Sequence, residues 1–180
     1  MENTQELIEK NDAVLRQTYD QQFQIWLDHI VFTWRWWIGV IVILICIGVW
    51  IWLRKKGYSD RLFYVGFFVA FTATFLDSIG EYFGIWGQQY EVFPAFAYLP
   101  WDAFMLPTII MLLLLFKPHI HPSLKALLLG AFTSFIGLPL MTWLDIYEPT
   151  NWRFIYSLPI QVVIYLLAHF FSRRKHFDLL

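Results

Sequence analysis

Apolar residues collect in five blocks, 36–53, 62–79, 99–116, 126–144 and 154–171, separated by short polar connections. Each block is close to the ~20 residues that cross a hydrocarbon core. Ahead of them, residues 1–33 are polar, but Ile8, Leu15, Tyr19, Phe23, Trp26 and Ile30 recur at helical spacing. That is the apolar stripe of an amphipathic helix. The pattern predicts an all-α protein: an amphipathic extracytoplasmic segment over 1–33, then an integral membrane bundle of five transmembrane helices over 34–176. The first segment would lie on the outer leaflet or fold back over the bundle. The first block begins behind an acidic tail and no small-residue cleavage site follows it, so a signal peptide is not expected. No linker or internal repeat suggests a second domain.

Side-chain size within the blocks points to packing faces. In the second block, Gly66, Ala70, Thr74 and Ser78 repeat every four residues, a ladder of small side chains that lets another helix approach closely. Ala73 and Asp77 fall within about 20° of that ladder, because seven residues complete nearly two turns. The opposite face is Phe63, Phe67, Phe71 and Phe75. Gly130, Ser134 and Gly137 form a second small-residue face in the fourth block. Ser157, Gln161 and Tyr165 put a polar line on the fifth, and polar side chains inside a span should face protein rather than lipid. Helices two, four and five are therefore expected to form the core, with helix three beside them. Pro107 and Pro139 stand in helix interiors, where a missing N–H and a ring clash predict kinks.

Charge then sets orientation. Of thirteen Lys and Arg, nine lie in the loops after blocks one, three and five: Arg54, Lys55, Lys56, Arg61, Lys117, Lys125, Arg173, Arg174 and Lys175. The other side has Lys10, Arg16, Arg35 and Arg153. The positive-inside rule places the N-terminus outside and the C-terminus in the cytoplasm. Hydrophobic residues make up 58% of the chain and charged residues 15%, well below the ~25% charged of a soluble protein. The ten Trp suit the membrane interface. A net charge of −1, without a basic stripe, excludes a nucleic-acid role. The single Cys46 has no intrachain partner.

Twelve of the fourteen Asp and Glu fall on the outer side, six of them within the N-terminal segment. Asp77, Glu81, Asp102 and Asp145 map to helix ends there, with Arg153 and Tyr156 beside them and several Trp in the same layer. One reading is an outward-facing acidic and aromatic pocket for a small ligand or cation. Crowded carboxylates repel, so at least one would hold its proton. The other reading is that acids gather at outer helix ends because topology scarcely constrains them. His119 and His121 read as a solvated turn and a poor metal site, and His169 as a helix-packing hydrogen-bonder. No nucleotide, hydrolase or zinc-protease motif occurs, and the residues name no cofactor.

Leu99-Pro100-Trp101-Asp102 with Pro107, Gly137-Leu138-Pro139-Leu140 with Trp143 and Tyr147, and Trp152 followed by Ile155-Tyr156-Ser157-Leu158-Pro159 resemble an uncharacterised family of small multi-pass membrane proteins found mainly in endospore-forming bacteria. The likeness covers about residues 99–173 and departs at Leu138, where an acidic residue would be expected. It implies a helical bundle in a bacterial cytoplasmic membrane and no activity. The leading functional expectation is a non-enzymatic membrane protein that binds a small ligand or cation, in sensing or in assisting a partner membrane protein. A second is a membrane enzyme using paired carboxylates on a lipid or lipid-linked substrate, which requires Asp77 or Glu81 within a few ångströms of Asp102. A third is a passive assembly subunit, pairing with a partner or with itself through the small-residue faces.

Overall fold

The computed structural model describes residues 3–56, 60–94 and 97–174, so Lys175 and the end of the predicted bundle lie outside the described residues. Six helices follow one another: α1 (Thr4–Ile25), α2 (Trp34–Lys55), α3 (Asp60–Tyr82), α4 (Pro100–Leu115), α5 (Pro122–Trp143) and α6 (Phe154–Ser172). Four of them, α2, α3, α5 and α6, have 22, 23, 22 and 19 residues and are long and apolar enough to cross a membrane; α4 is apolar but shorter. The chain is a multi-pass helical membrane protein. Phe67, Phe71 and Phe75 stand outward at 73%, 65% and 56% exposure. A row of phenyl rings on the outside is the surface that lipid covers.

α1 begins with a capping box, Asn3 and Glu6 satisfying one another's backbone. None of its residues is buried. Just past its end the chain is anchored. The Trp26 indole donates to the Glu91 carbonyl at 2.9 Å, with its ring between Phe23 and Phe93.

α2 turns Ile41, Leu44 and Ile45 outward and buries Gly39, Cys46 and Leu53. Near its far end the Trp50 indole donates to Thr108 Oγ1 at 2.6 Å while its ring stacks on Phe104, 5.5 Å between centroids.

The core joins α3 (Val65, Val69, Ala73), α4 (Leu106, Ile110), α5 (Ala126, Leu129) and α6 (Ile164, Tyr165, Ala168). Helix α4 is thus central, not beside the core as its sequence suggested. Its only polar side chains, Asp102 and Thr108, are buried, and protein encloses most of its length, with Leu112 left exposed. On α3 the buried seam runs through Leu62, Val65, Gly66, Val69, Ala73 and Gly80. Gly66 lies in it, Ala70 and Thr74 are half-buried and Ser78 is exposed. On α5, Gly130 and Ser134 are buried against α6 and Gly137 is half-buried.

The two interior prolines share one device. In α4 the stretch Pro100–Met105 is π-helical, and the Leu106 N–H reaches the Trp101 carbonyl; in α5, Thr133–Gly137 is π-helical and the Leu138 N–H reaches Thr133. Each wide turn directly precedes a Leu-Pro pair. Proline has no N–H and crowds the carbonyl four residues back, and one extra residue in the turn makes room for the ring. Outside the helices, Gly87–Gln88 and Tyr147–Glu148 form a small antiparallel ladder, pairing Gly87 with Glu148 and Gln88 with Tyr147. This addition to the all-α pattern binds the α3–α4 loop to the α5–α6 loop.

Candidate functional site

The end of α3, the start of α4, the π turn of α5 and the start of α6 surround a cavity of about 90 Å³. Asp77 enters it from the last turns of α3, and Asp102 from the π turn of α4. Their carboxyl groups lie close enough to interact directly. Asp77 also accepts from the Trp86 indole at 2.7 Å, from the Gln88 amide at 3.3 Å and from the Tyr98 backbone N–H at 3.3 Å. All of these donors are uncharged. Asp102 is buried, 5% exposed, and its Oδ2 has no partner within the protein. Gln161 from α6 lines the cavity with an equally unpartnered Oε1. Among the described lining residues there is no Lys, Arg or His. Such orphaned buried acceptors are uncommon and call for an explanation.

The ladder positions the polar roof. Gln88 and Tyr147 are cross-strand partners and both line the cavity. Trp86 lies flat on Gly80, which is possible only because Gly80 lacks a side chain. Trp86 and Trp152 meet edge to face at 4.9 Å, Trp101 adds a third indole, and the Trp152 N–H donates to Ser157 Oγ at 2.8 Å.

The structure brings only part of the sequence-derived set together. Asp77 and Asp102 share the cavity. Glu81 sits one turn beyond Asp77, outside the lining, with a buried Oε1 that has no partner and close enough to feel the charges of Asp77 and Glu91. Asp145 is elsewhere. α5 ends in a left-handed residue, Asp145 itself at φ 56, a conformation that Asp tolerates better than most residues. This turn carries the carboxylate outward to Arg35, 2.5 Å away. Arg35 also donates to the Leu144 carbonyl at 2.7 Å and lies over the Tyr90 ring. Arg153 and Tyr156 are exposed and line no part of the cavity. No group of three or more His, Cys, Asp or Glu among the described residues is arranged to hold a metal ion.

Gln88, Tyr98 and Thr133 join the site without having been singled out in the sequence. So does Glu91, in the surrounding electrostatics. Burial, reinforced by the Asp77 charge, pushes Glu91 from the ordinary 4.5 up to about 7, and burial raises the Tyr98 phenol to about 12. The only hint in the sequence was a loop, 80–98, rich in aromatics and free of Lys and Arg. Comparison with protein-family models, curated proteins and solved structures finds no match to this chain. The reading of the site therefore rests on its geometry.

Proposed function

We propose that the protein is a five-span component of a bacterial cytoplasmic membrane, N-terminus outside, that binds a small organic cation in the Asp77–Asp102 cavity. Helix α4 supplies the fifth crossing, and the suggested kinship with small membrane proteins of endospore-forming bacteria stands with this reading. One observation carries the ligand proposal. Two carboxyl groups meet in a cavity with no basic side chain among its described lining residues, and one of their oxygens is left without a partner. Carboxylates this close repel each other when both are ionised, so the pair shares one proton and carries one negative charge, as paired acids do elsewhere. An ammonium group satisfies that charge and donates to Asp102 Oδ2 and Gln161 Oε1. The indoles of Trp86, Trp101 and Trp152 provide the electron-rich walls that favour a cation, at about 0.5–2 kcal/mol per ring. Ligand occupancy, passed to a partner membrane protein, would serve sensing or assistance.

Thermal unfolding of the full chain in a neutral detergent tests this, with methylammonium or ethylammonium against neutral alcohols of the same size. The amines should stabilise the protein saturably. The Asp77→Asn/Asp102→Asn double variant should lose the effect. No stabilisation of wild type, or undiminished stabilisation of the double variant, rules the reading out.

The same proximity meets the geometric requirement of the enzymatic alternative, a general acid–base pair acting on a lipid-linked substrate. Asp102→Asn separates the two. It preserves the charge and the hydrogen bond of the protonated pair, so cation binding survives, whereas proton transfer through residue 102 is abolished.

A further inference from the structure

At the opposite end of the bundle, the α4–α5 loop, the start of α5 and the last turn of α6 enclose a second cavity, of about 360 Å³. Every charged or imidazole side chain around it is basic: His119 and His121 from the loop, Lys125 from α5, His169 and Arg173 from the end of α6. No carboxylate is among the described lining residues, and α4 contributes only Leu114. Basic groups gathered in one recess raise its positive potential, which favours an anion there.

Three further observations point to an anion. Lys125 is 6% exposed and is held in place by its Nζ, which donates to the Leu113 carbonyl at 2.7 Å and to the Phe116 carbonyl. Its charge is therefore fixed at the cavity wall. Tyr165 is fully buried and lines the same cavity with a hydroxyl that has no partner in the protein. Its ring is stacked with His169, 6.5 Å between centroids, and both line the cavity. Finally, α5 starts here, and His121 caps it by accepting from the Ser123 N–H at 3.4 Å. A helix start carries partial positive charge.

We propose that this cavity binds a phosphate group, either inorganic phosphate or the phosphodiester of an anionic lipid headgroup. Phosphate offers several strong acceptor oxygens to the Tyr165 hydroxyl, the imidazoles and the guanidinium of Arg173, and basic recesses between membrane helices are suited to such headgroups.

The test uses the full chain in neutral detergent at pH 6.5. Its thermal unfolding is followed with inorganic phosphate against chloride at equal ionic strength, and in mixed micelles of phosphatidylglycerol against phosphatidylcholine. Saturable stabilisation by at least one phosphate source is expected. Stabilisation by inorganic phosphate identifies a free ligand; stabilisation by phosphatidylglycerol alone identifies a headgroup. The variants His169→Gln and Arg173→Gln should each weaken apparent affinity at least tenfold, while Arg54→Gln, a basic change outside the cavity, should leave it intact. Because Arg173 is exposed, its variant keeps the test decisive if His169→Gln does not fold. The proposal is overturned if neither source stabilises beyond its control, or if Arg54→Gln weakens binding as much as Arg173→Gln. The cation site plays no part in this result, since the Asp77→Asn/Asp102→Asn variant should retain the phosphate response.

Discussion

Replacing Gly80 by alanine should unseat Trp86 and open the roof of the Asp77–Asp102 cavity. A Cβ at position 80 would lie 1.9 Å from Cζ2, 2.2 Å from Cε2 and 2.4 Å from Cη2 of Trp86, far inside the ~3.5–4.0 Å of ordinary carbon contacts. A rigid, half-buried indole cannot yield that distance and stay, so it must leave. With it go the 2.7 Å hydrogen bond to Asp77 and the edge-to-face pair with Trp152. A hydrogen bond to a charged group is worth about 1.5–3 kcal/mol, and an aromatic pair about 0.5–1.5 kcal/mol. Against this stands a gain of up to about 1 kcal/mol from the better helix propensity of Ala. The net expectation is a loss of about 1–3.5 kcal/mol, or on the order of 2–14 °C in Tm for a domain of this size. Tryptophan fluorescence during thermal unfolding in detergent measures it. Gly48→Ala is the control, since nothing lies within 4 Å of its added Cβ. In a Trp86→Ala background the Gly80→Ala change should turn neutral or stabilising. If Gly80→Ala is as stable as Gly48→Ala in otherwise wild-type protein, Trp86 does not rest on Gly80 and the account of the roof is wrong.

Three further outcomes follow from other parts of the structure. Gly130→Ala brings a Cβ to 2.9 Å from the Leu158 carbonyl, a backbone atom, whereas Gly137→Ala meets nothing nearer than 3.6 Å; the first should lose about 1–3 kcal/mol by overpacking and the second almost nothing, as read from their melting temperatures. Glu91 binds its proton more tightly when folded than when unfolded, so its contribution to stability is complete below about 4.5 and is lost as pH rises to about 7. A stability–pH profile should therefore fall across that window, and Glu91→Gln should flatten it. Asp145→Asn should cost about 0–1 kcal/mol, because its ion pair with Arg35 is largely solvated, and it should leave the response to ammonium ligands unchanged.

Helices and their apolar character were legible in the sequence because each is a long block with clear polar ends. Asp77 was legible for a related reason: an acid inside an apolar helix, beside small residues, has to face protein. Asp102 could be placed at the same end, but its contact with Asp77 depends on the π turn, and no spacing of three or four announces an extra residue. Asp145 looked equivalent to the others and is not, since its partner Arg35 lies 110 positions away in the chain. Glu91 and Gln88 sit in a loop whose order comes from a four-residue ladder, too short to leave a period-two pattern. The central place of α4 was hidden because Leu106–Leu115 is apolar apart from Thr108. A stretch without polar contrast gives no direction to its surroundings, whether they are lipid or protein.

The paired π turns have a consequence for how this chain can change in length. Each holds one residue more than an α-helical path would need, and holds it within a single wide turn. Such a turn absorbs its extra residue locally, so the turns on either side keep the faces they would have in a regular helix. Removing Phe104 or Met105 would leave Leu106 and Ile110 facing the core but would close the turn on the ring of Pro107, which then meets the carbonyl four residues back. The extra residue is thus the clearance that lets a proline stand inside the helix, and Asp102 sits in the turn that clearance creates.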